Sequence, residues 1–599
     1  MQNLDPKDVY NKQIEQLSVT EKILLQRKKL LSWLRFFSLV ISFIALWQLW
    51  HIGVAVAFVS FIILFALFLF LVVKDLKNKD EIENIRLLIQ INKQEIDILD
   101  HHFSTLQSGQ ELKPETHAYA NDLDIFGKAS IYQYINRTLS EQGNSLFANW
   151  LLDPAEQTII LQRQEAAKEL AEKVEWRHQF RAYGITSPLT ISSEKKIETW
   201  LKSKNRFINN PFWRMIRYVL PAITLTVLAL HLFDIISSSL FYPLAILFLV
   251  IAFGITKIII PQYVLLNKIV PELETLQNSI RCIEDATFQS KLMTQLKNNF
   301  KQHENKASAT IKKLKNILER FDYRLNPIVH IPLNTFLLWD LQQVIGLERW
   351  KTDNDQNISA WFDALANTEA LISIGTLSFN HPGWCYPSLS NEYAVFIAKD
   401  LGHPLIPVEK RVNNSFSTTG EKQLNLITGS NMAGKSTFLR SIGVNIVLAM
   451  MGAPTCSSQL TVSPMKVISS MRVNDNLEEN TSTFYAELKK LKEIIDAVNN
   501  KEKVFLLLDE ILRGTNSADR QTGSIALIKQ LIHQNASGLI ATHDLELTKL
   551  SDEFPSNLHN YHFDVQVKEE ELYFDYKIKR GVCSSMNASL LMKKIGINL

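Results

Sequence analysis

The feature that most constrains this chain is a long stretch without charge. From Phe36 to Val73 there is no Asp, Glu, Lys or Arg, and Leu, Ile, Val, Phe and Ala dominate. A helix needs roughly 20 apolar residues to cross the hydrocarbon core of a bilayer. The stretch therefore suits two crossings joined by a tight turn near His51–Gly53. A second run, from Tyr218 to Gly254 and on to Ile260, is interrupted only by Asp234 and by Ser237 to Ser239. It reads as another hairpin with Asp234 near its turn. Buried hairpins of a soluble protein are the competing interpretation, but ordinary core helices rarely run so long uncharged.

Flanking charge gives an orientation. Lys22, Arg27, Lys28, Lys29 and Arg35 precede the first hairpin, and Lys74, Lys77 and Lys79 follow it. Lys202, Lys204, Arg206, Arg214 and Arg217 precede the second, with Lys257 and Lys268 after it, and neither turn carries Lys or Arg. The positive-inside rule then puts both termini and all large segments in the cytoplasm, on a multi-pass membrane protein with four transmembrane helices. The polar start of the chain does not read as a cleavable secretory signal. A length of 599 residues leaves room for three or four domains, and a net charge of +3 says little about partners, so any nucleic-acid surface must be local. The four cysteines form no C-x-x-C pair, so neither a zinc ribbon nor a disulfide framework is indicated, and a reducing compartment fits.

Between the hairpins the chain reads as helical, with apolar residues at three- and four-residue spacing. Residues 264–325 read as a continuing long helix. Within it Lys291, Lys297, Lys301, Lys306, Lys312, Lys313 and Lys315 face one acid, Glu304. That pattern is a solvated helix face, or a surface for DNA phosphates or anionic lipid headgroups. From about Ser373 short strands alternate with helices, as in Leu424–Thr428, Val504–Leu508 and Gly538–Ala541. This is α/β with a largely parallel sheet.

The chemistry sits in that last region. Gly429-Ser430-Asn431-Met432-Ala433-Gly434-Lys435-Ser436, followed by Thr437, fits G-x-x-x-x-G-K-[ST] between an apolar strand and a helix. Glycines let successive N–H groups and the helix N-terminus point at phosphate oxygens. Lys435 then places a cation on the β- and γ-phosphates of ATP, and the Ser436 hydroxyl is a ligand for Mg²⁺. Val504 to Leu508 delivers Asp509 and Glu510 to a strand end, Asp509 for Mg²⁺ and Glu510 to polarise the attacking water. A helix cap is the bland alternative for such an acidic pair. His543, after a third apolar strand, is placed to sense the γ-phosphate.

Read together with Asn480-Thr481-Ser482-Thr483-Phe484-Tyr485-Ala486-Glu487, these elements resemble the MutS family of mismatch-repair ATPases. By itself that stretch is a capped helix, with Phe484, Leu488, Leu491, Ile495 and Val498 on one face. S-T-F-x-x-E between the two phosphate-handling elements is similar to the family's signature, whose serine reaches the nucleotide of the other subunit. Asn431-Met432 in the glycine loop, Asp509 through Ser517, and His403-Pro404-Leu405-Ile406 agree with it. Upstream, Leu123 to Gly127, Asn136-Arg137-Thr138, Gly143 and Asn149 to Pro154 are similar to the opening of the family's helical core.

The resemblance implies an ABC-type P-loop ATPase domain at the C-terminus, an all-α core and lever region, and a homodimer with Ser482 acting in trans. It also makes DNA an expected partner. The implied order is an N-terminal helix at 1–35, a hairpin at 36–73, a helical linker at 74–118 and the first part of the core at 119–217. A hairpin at 218–260, levers with the rest of the core at 261–372 and the ATPase at 373–599 complete it. Three departures stand against mismatch reading. No Phe-x-Glu occurs, nothing before residue 119 looks like a mismatch-binding domain, and Leu512 replaces the family's glycine after the acids. A membrane remodelling or scaffold ATPase acting on protein or lipid is the alternative.

Overall fold

The computed structural model describes residues 5–583 except 265, 267, 303–304, 355–357, 431–432, 473–482 and 569–570. The chain divides into two units. The first comprises Met1–Leu106 with the short segments Val174–Ala182 and Phe379–Pro382. Its body is an antiparallel pair of helices, α1 (Pro6–Leu49) and α2 (Val54–Leu99). Asp5 caps α1 by accepting from the Lys7 N–H at 3.0 Å. In the charge-free section the described residues that are buried are Ser38, Ser42 and Ala57, small enough to let two backbones approach closely. Its large apolar side chains face outward. Arg35 and Asp75, 2.8 Å apart, pair across the hairpin where the uncharged section begins. At the opposite end Glu95 is fully buried and accepts from Arg181 at 2.7 Å and from Asn380 at 3.0 Å. Tyr10 donates to Asn380 there, at 2.7 Å, and stacks on His178.

The second unit holds the rest. Helices α3 (Ile131–Ile135), α4 (Glu141–Leu152), α5 (Gln157–Glu172), the end of α6 (Val174–Ile185) and α7 (Ile191–Lys202) form its first helical part. The stretches that resemble a MutS core are structural here: Leu123, Ile125 and Leu151 are fully buried. Glu369 is buried too, and its carboxylate accepts from the Leu139 and Ser140 N–H groups and the Ser140 hydroxyl. Helices α8 (Pro211–Leu232) and α9 (Ser238–Val264) follow, with Asp234 in the turn at φ 57°. With α1 and α2 they make, among the described residues, four helices long and apolar enough to cross a membrane.

Residues 264–325 are not one helix, which corrects the expectation. They form α10 (Val270–Asp285), α11 (Lys291–Asn298), the two-residue strands β1 (Lys301–Gln302) and β2 (Asn305–Lys306), and α12 (Ala307–Phe321). The break has a cause: Glu169 of α5 accepts from the Gln289 and Ser290 N–H groups, each at 2.9 Å, and from the Ser290 hydroxyl at 2.6 Å. That bonding holds the connection extended. The folding-back also supplies acids to the lysine-rich stretch. Lys306 meets Asp285 at 2.8 Å, and Lys315 meets Glu274 at 3.0 Å and Glu319 at 3.5 Å. Helices α13 (Pro327–Leu337), α14 (Trp339–Asn354) and α15 (Ile358–Asn380) close the helical part. Helix α15 thus runs past Ser373, and the strands begin later.

The strands are β3 (Ser388–Leu389), β4 (Phe396–Leu401), β5 (Asn414–Thr418), β6 (Leu424–Thr428), β7 (Gln459–Val462), β8 (Lys466–Ser470), β9 (Val504–Asp509), β10 (Ser537–Ala541), β11 (Leu558–Lys568) and β12 (Glu571–Arg580). One sheet has the order β12-β11-β6-β10-β9-β8, parallel except for its β12 edge. A smaller sheet has the order β3-β7-β4-β5. Strands β6, β9 and β10 are buried throughout, as continuous apolar runs in a covered parallel sheet should be. Helices α16 (Lys435–Met451), α17 (Thr483–Asn499), α18 (Ser517–His533) and α19 (Leu550–Glu553) accompany them. The helical core is locked to this domain. Leu123 abuts Gly443 of α16, where an added Cβ would lie 2.8 Å from it. Asp122 accepts from the Ser469 hydroxyl at 2.7 Å and from the Met471 and Arg472 N–H groups at 3.2 and 3.0 Å.

Candidate nucleotide site

Strand β6 ends at Thr428 and the chain turns sharply into a loop. Gly429 has φ 142°, and a Cβ on it would come 2.9 Å from the Phe563 carbonyl of β11. Gly434, at φ 100°, ends the loop and leads into α16. A side chain is therefore excluded at Gly429 by its neighbour and disfavoured at both positions by the backbone. Ser430, Ala433, Gly434, Lys435, Ser436 and Thr437 lie in or beside this turn, whereas Asn431 and Met432 lie outside the described residues. The first turn of a helix leaves backbone N–H groups without helical partners, and α16 starts directly where the loop ends.

Lys435 is 3 % exposed. Its ammonium donates to the Gly429 carbonyl at 2.7 Å and the Ser430 carbonyl at 2.9 Å, and lies 3.3 Å from His543 Nε2. Burial pulls its pKa down to about 8, against the pull of Asp509 and Glu510. His543 Nε2 is in turn 2.6 Å from Glu510 Oε1, and Arg513 Nε is 2.9 Å from Glu510 Oε2. The hydrogen bond from His543 holds the Glu510 carboxyl below its ordinary range, with Arg513 and Lys435 adding to it and burial opposing. The three strand ends β6, β9 and β10 thus bring Lys435, Glu510 and His543 into one chain of contacts, although more than a hundred residues separate the first from the last.

Asp509 ends β9 and is buried, and its Oδ1 has no hydrogen-bond partner among the described residues. Arg513 Nη2 lies 3.9 Å from it. A buried carboxylate oxygen left without a partner is costly, and a magnesium ion is the kind of partner that would satisfy it. Ser436 is half-buried one residue after Lys435. The residue set therefore fits Mg²⁺ and a polyphosphate.

The segment after the acids is strained. Glu510 has φ 51° and Leu512 φ 60°, a region that disfavours side chains. Glu487 of α17 holds it: this buried carboxylate accepts from the Leu512 N–H and, at 3.3 Å, from the Arg513 N–H. Phe484 packs so closely on Gly514 that an added Cβ there would be 2.7 Å away. The glutamate of the S-T-F-x-x-E stretch is thus fastened to the loop that carries the acids. On α17 the buried face uses Leu491, Ile494, Ala497 and Val498, with Phe484 and Ile495 partly covered, while Leu488 is 40 % exposed. Ser482 lies outside the described residues.

Beside the glycine loop is a cavity of about 420 Å³. His403, Arg411, Val412 and Tyr576 line it together with Gly434 to Phe438. Burial, reinforced by Arg440, lowers the His403 pKa to about 4, so it presents a neutral ring at neutral pH. Of the walls outside the glycine loop and its helix, the sequence singled out only His403, and only as the opening of a domain. Arg513 was legible as part of a motif but carried no role. Nothing in the spacing of Arg411, Val412 and Tyr576 links them to the loop, because β5, β12 and the turn before β5 reach the cavity by tertiary packing.

Residues 425–594 match the family described as MutS domain V. The chain is 32 % identical over 239 residues to MutS protein homolog 4 of Homo sapiens, covering 38 % of this chain and 25 % of that protein. It is 33 % identical over 239 residues to the Mus musculus protein of the same name, covering 38 % and 24 %. It is 31 % identical over 234 residues to the DNA mismatch repair protein MutS of Chlamydia pneumoniae, covering 37 % and 28 %. The aligned part spans about a quarter of the length of these relatives. The C-terminal region of this chain is distantly related to the ATPase domain of the MutS family.

Proposed function

We propose that this chain is a membrane-anchored ATPase of the MutS type that binds ATP with Mg²⁺ and hydrolyses it as a homodimer. The observation that carries the reading is the contact chain from Lys435 through His543 to Glu510 at the mouth of the glycine loop. The loop N–H groups and Lys435 hold the β- and γ-phosphates, with the ammonium exchanging the Gly429 and Ser430 carbonyls for phosphate oxygens. Ser436 and Asp509 would hold Mg²⁺, which supplies charge compensation to the phosphates. Glu510 accepts a proton from the attacking water, and His543 fixes its orientation while reaching toward the γ-phosphate. The cavity walled by His403 and Tyr576 takes the base. The partner subunit's Ser482 completes the site from across the dimer.

The hairpins at 36–73 and 218–260 anchor the chain, with the flanking lysines and arginines keeping the ATPase on the cytoplasmic side. DNA is the partner that the family relationship suggests, and a branched or other non-mismatch structure suits a chain without the Phe-x-Glu pair. The second reading, a remodelling or scaffold ATPase acting on protein or lipid, is favoured by one observation: Lys306 and Lys315, two cations of the expected DNA surface, are already paired with acids. The test is ATPase turnover of the purified full chain in nanodiscs, with and without duplex, mismatched and junction DNA. Stimulation by one of these supports the DNA reading, and none by any of them leaves the second. Absence of hydrolysis, or full turnover by a strict monomer, overturns the proposal.

A further inference from the structure

Helix α13 is built inside out. A helix on a water-soluble surface turns its apolar side inward. Here the buried positions are His330, Asn334 and Thr335, while Ile328 is 86 % exposed and Val329 and Ile331 are each 41 % exposed. Leu325, just before the helix, is 76 % exposed. The inward face carries a polar network. His330 Nε2 lies 3.1 Å from Asp340 Oδ1, Thr256 donates to Asp340 Oδ2 at 2.8 Å, and Asn334 donates to Thr256 at 2.9 Å. So His330 and Asn334 are partnered inside, Thr335 Oγ1 has no hydrogen-bond partner among the described residues, and Leu325, Ile328, Val329 and Ile331 stay exposed.

The contacts also fix how deep α13 sits. Thr224 donates to the Phe336 carbonyl at 2.7 Å. Thr224 lies seven residues beyond Arg217, the last charge before the apolar run of α8, which is about 10 Å along a helix rising ~1.5 Å per residue. On α9, Thr256 directly precedes Lys257, the first charge after its apolar run. Phe336 is thus bonded to α8 inside its apolar run and Asn334 to α9 beside the first charge that follows its run, so α13 lies along the cytoplasmic margin of both. Next to it Tyr323 and Trp339 stack with centroids 5.9 Å apart, and Trp339 Nε1 donates to the Arg320 carbonyl at 2.8 Å. Tyr, Trp and Arg at such a level are the side chains that settle among lipid headgroups.

We infer that the surface of Leu325, Ile328, Val329 and Ile331 is seated in the cytoplasmic leaflet of the bilayer, as an in-plane helix continuous with the lipid-facing surface of α8 and α9. An interfacial helix buries an apolar face of this kind at the boundary of headgroups and acyl chains. The inference rests on the reading of α8 and α9 as membrane-spanning, and it adds a membrane contact made by the lever region itself. Any movement of α12 and α14 would then drag a lipid-embedded element with it.

The test uses the full chain reconstituted in phosphatidylcholine–phosphatidylglycerol vesicles, with Cys282, Cys385, Cys456 and Cys583 changed to Ser and one environment-sensitive fluorophore at a new cysteine. The sites are Ile328→Cys, Leu247→Cys on the exposed face of α9, and Lys313→Cys on the exposed face of α12. Vesicles containing a shallow doxyl-labelled lipid should quench the labels at 328 and 247 by roughly half or more, and leave 313 unquenched. Quenching at 247 but not at 328 overturns this inference and spares the membrane-spanning reading. A blue-shifted, unquenched label at 328 means a protein surface covers the helix, which also overturns it. No quenching at 247 sinks both. Should the cysteine-free chain fail to fold, the wild-type chain is irradiated with a diazirine lipid and mapped by mass spectrometry. Lipid adducts within 323–332 support the inference, and adducts on 242–253 without any there overturn it.

Discussion

Leu512 offers a quantitative test of the loop behind Asp509 and Glu510. It has φ 60°, and the left-handed region costs a non-glycine residue about 1–2 kcal/mol. Glycine would remove that strain, but Leu512 is 8 % exposed and belongs to the apolar cluster with Ile511, Leu527 and Ile528. Truncating a buried leucine costs roughly 2–5 kcal/mol, so burial wins over strain. Leu512→Gly should therefore destabilise the domain in spite of restoring the residue that MutS proteins carry. Leu512→Ala opens a similar cavity and keeps the strained backbone, so it should be worse than glycine by about 1 kcal/mol. Thermal unfolding of the reconstituted protein, followed with and without nucleotide, gives the order wild type, then glycine, then alanine. Alanine equal to or more stable than glycine would refute the argument from backbone strain.

Four further outcomes are expected. Glu510→Gln should lower turnover by about 10²–10⁴-fold with nucleotide binding retained, read by single-turnover hydrolysis beside equilibrium binding; normal turnover would remove Glu510 from the role of base. Lys435→Ala should abolish measurable nucleotide binding by filter assay or calorimetry. Because burial leaves the Lys435 pKa at about 8, the free protein loses this cation as pH rises through that value. Binding an anion must then take up a proton, so affinity should fall above pH ~8, approaching tenfold per unit, while Lys435→Arg should flatten the profile. Arg35→Leu should destabilise the first hairpin by about 1–3 kcal/mol through the unpaired Asp75, and a second change, Asp75→Leu, should restore most of it in a mutant cycle.

The legible parts of this molecule were those where local sequence and final environment say the same thing. The runs at 36–73 and 218–260 became long apolar helices because nothing else accommodates so many uncharged residues. Strands β6, β9 and β10 appeared where apolar runs end in Gly429, Asp509 and Thr542, since continuous apolar runs suit a parallel sheet covered on both faces. The illegible parts depended on distant partners. The break between α10 and α11 needs Glu169 from α5. The acids that neutralise Lys306 and Lys315 come from a helix folded back beside them. Leu488 matched the apolar spacing of α17 yet faces outward, because Ile494 and Ala497 sit closer to the sheet. Helix α13 escaped notice because eleven residues are too few to signal a membrane element.

The bond from Thr256 to Asp340 has a practical consequence for anyone wishing to work without detergent. Excising residues 211–264 as a dispensable anchor would take away Thr224 and Thr256 together. Asp340 and Asn334 would lose their hydroxyl partner and the Phe336 carbonyl its donor. A truncation that ends its deletions at the hairpin therefore yields a damaged protein, and a useful cut has to take the eleven-residue apolar helix and its Asp340 along with it.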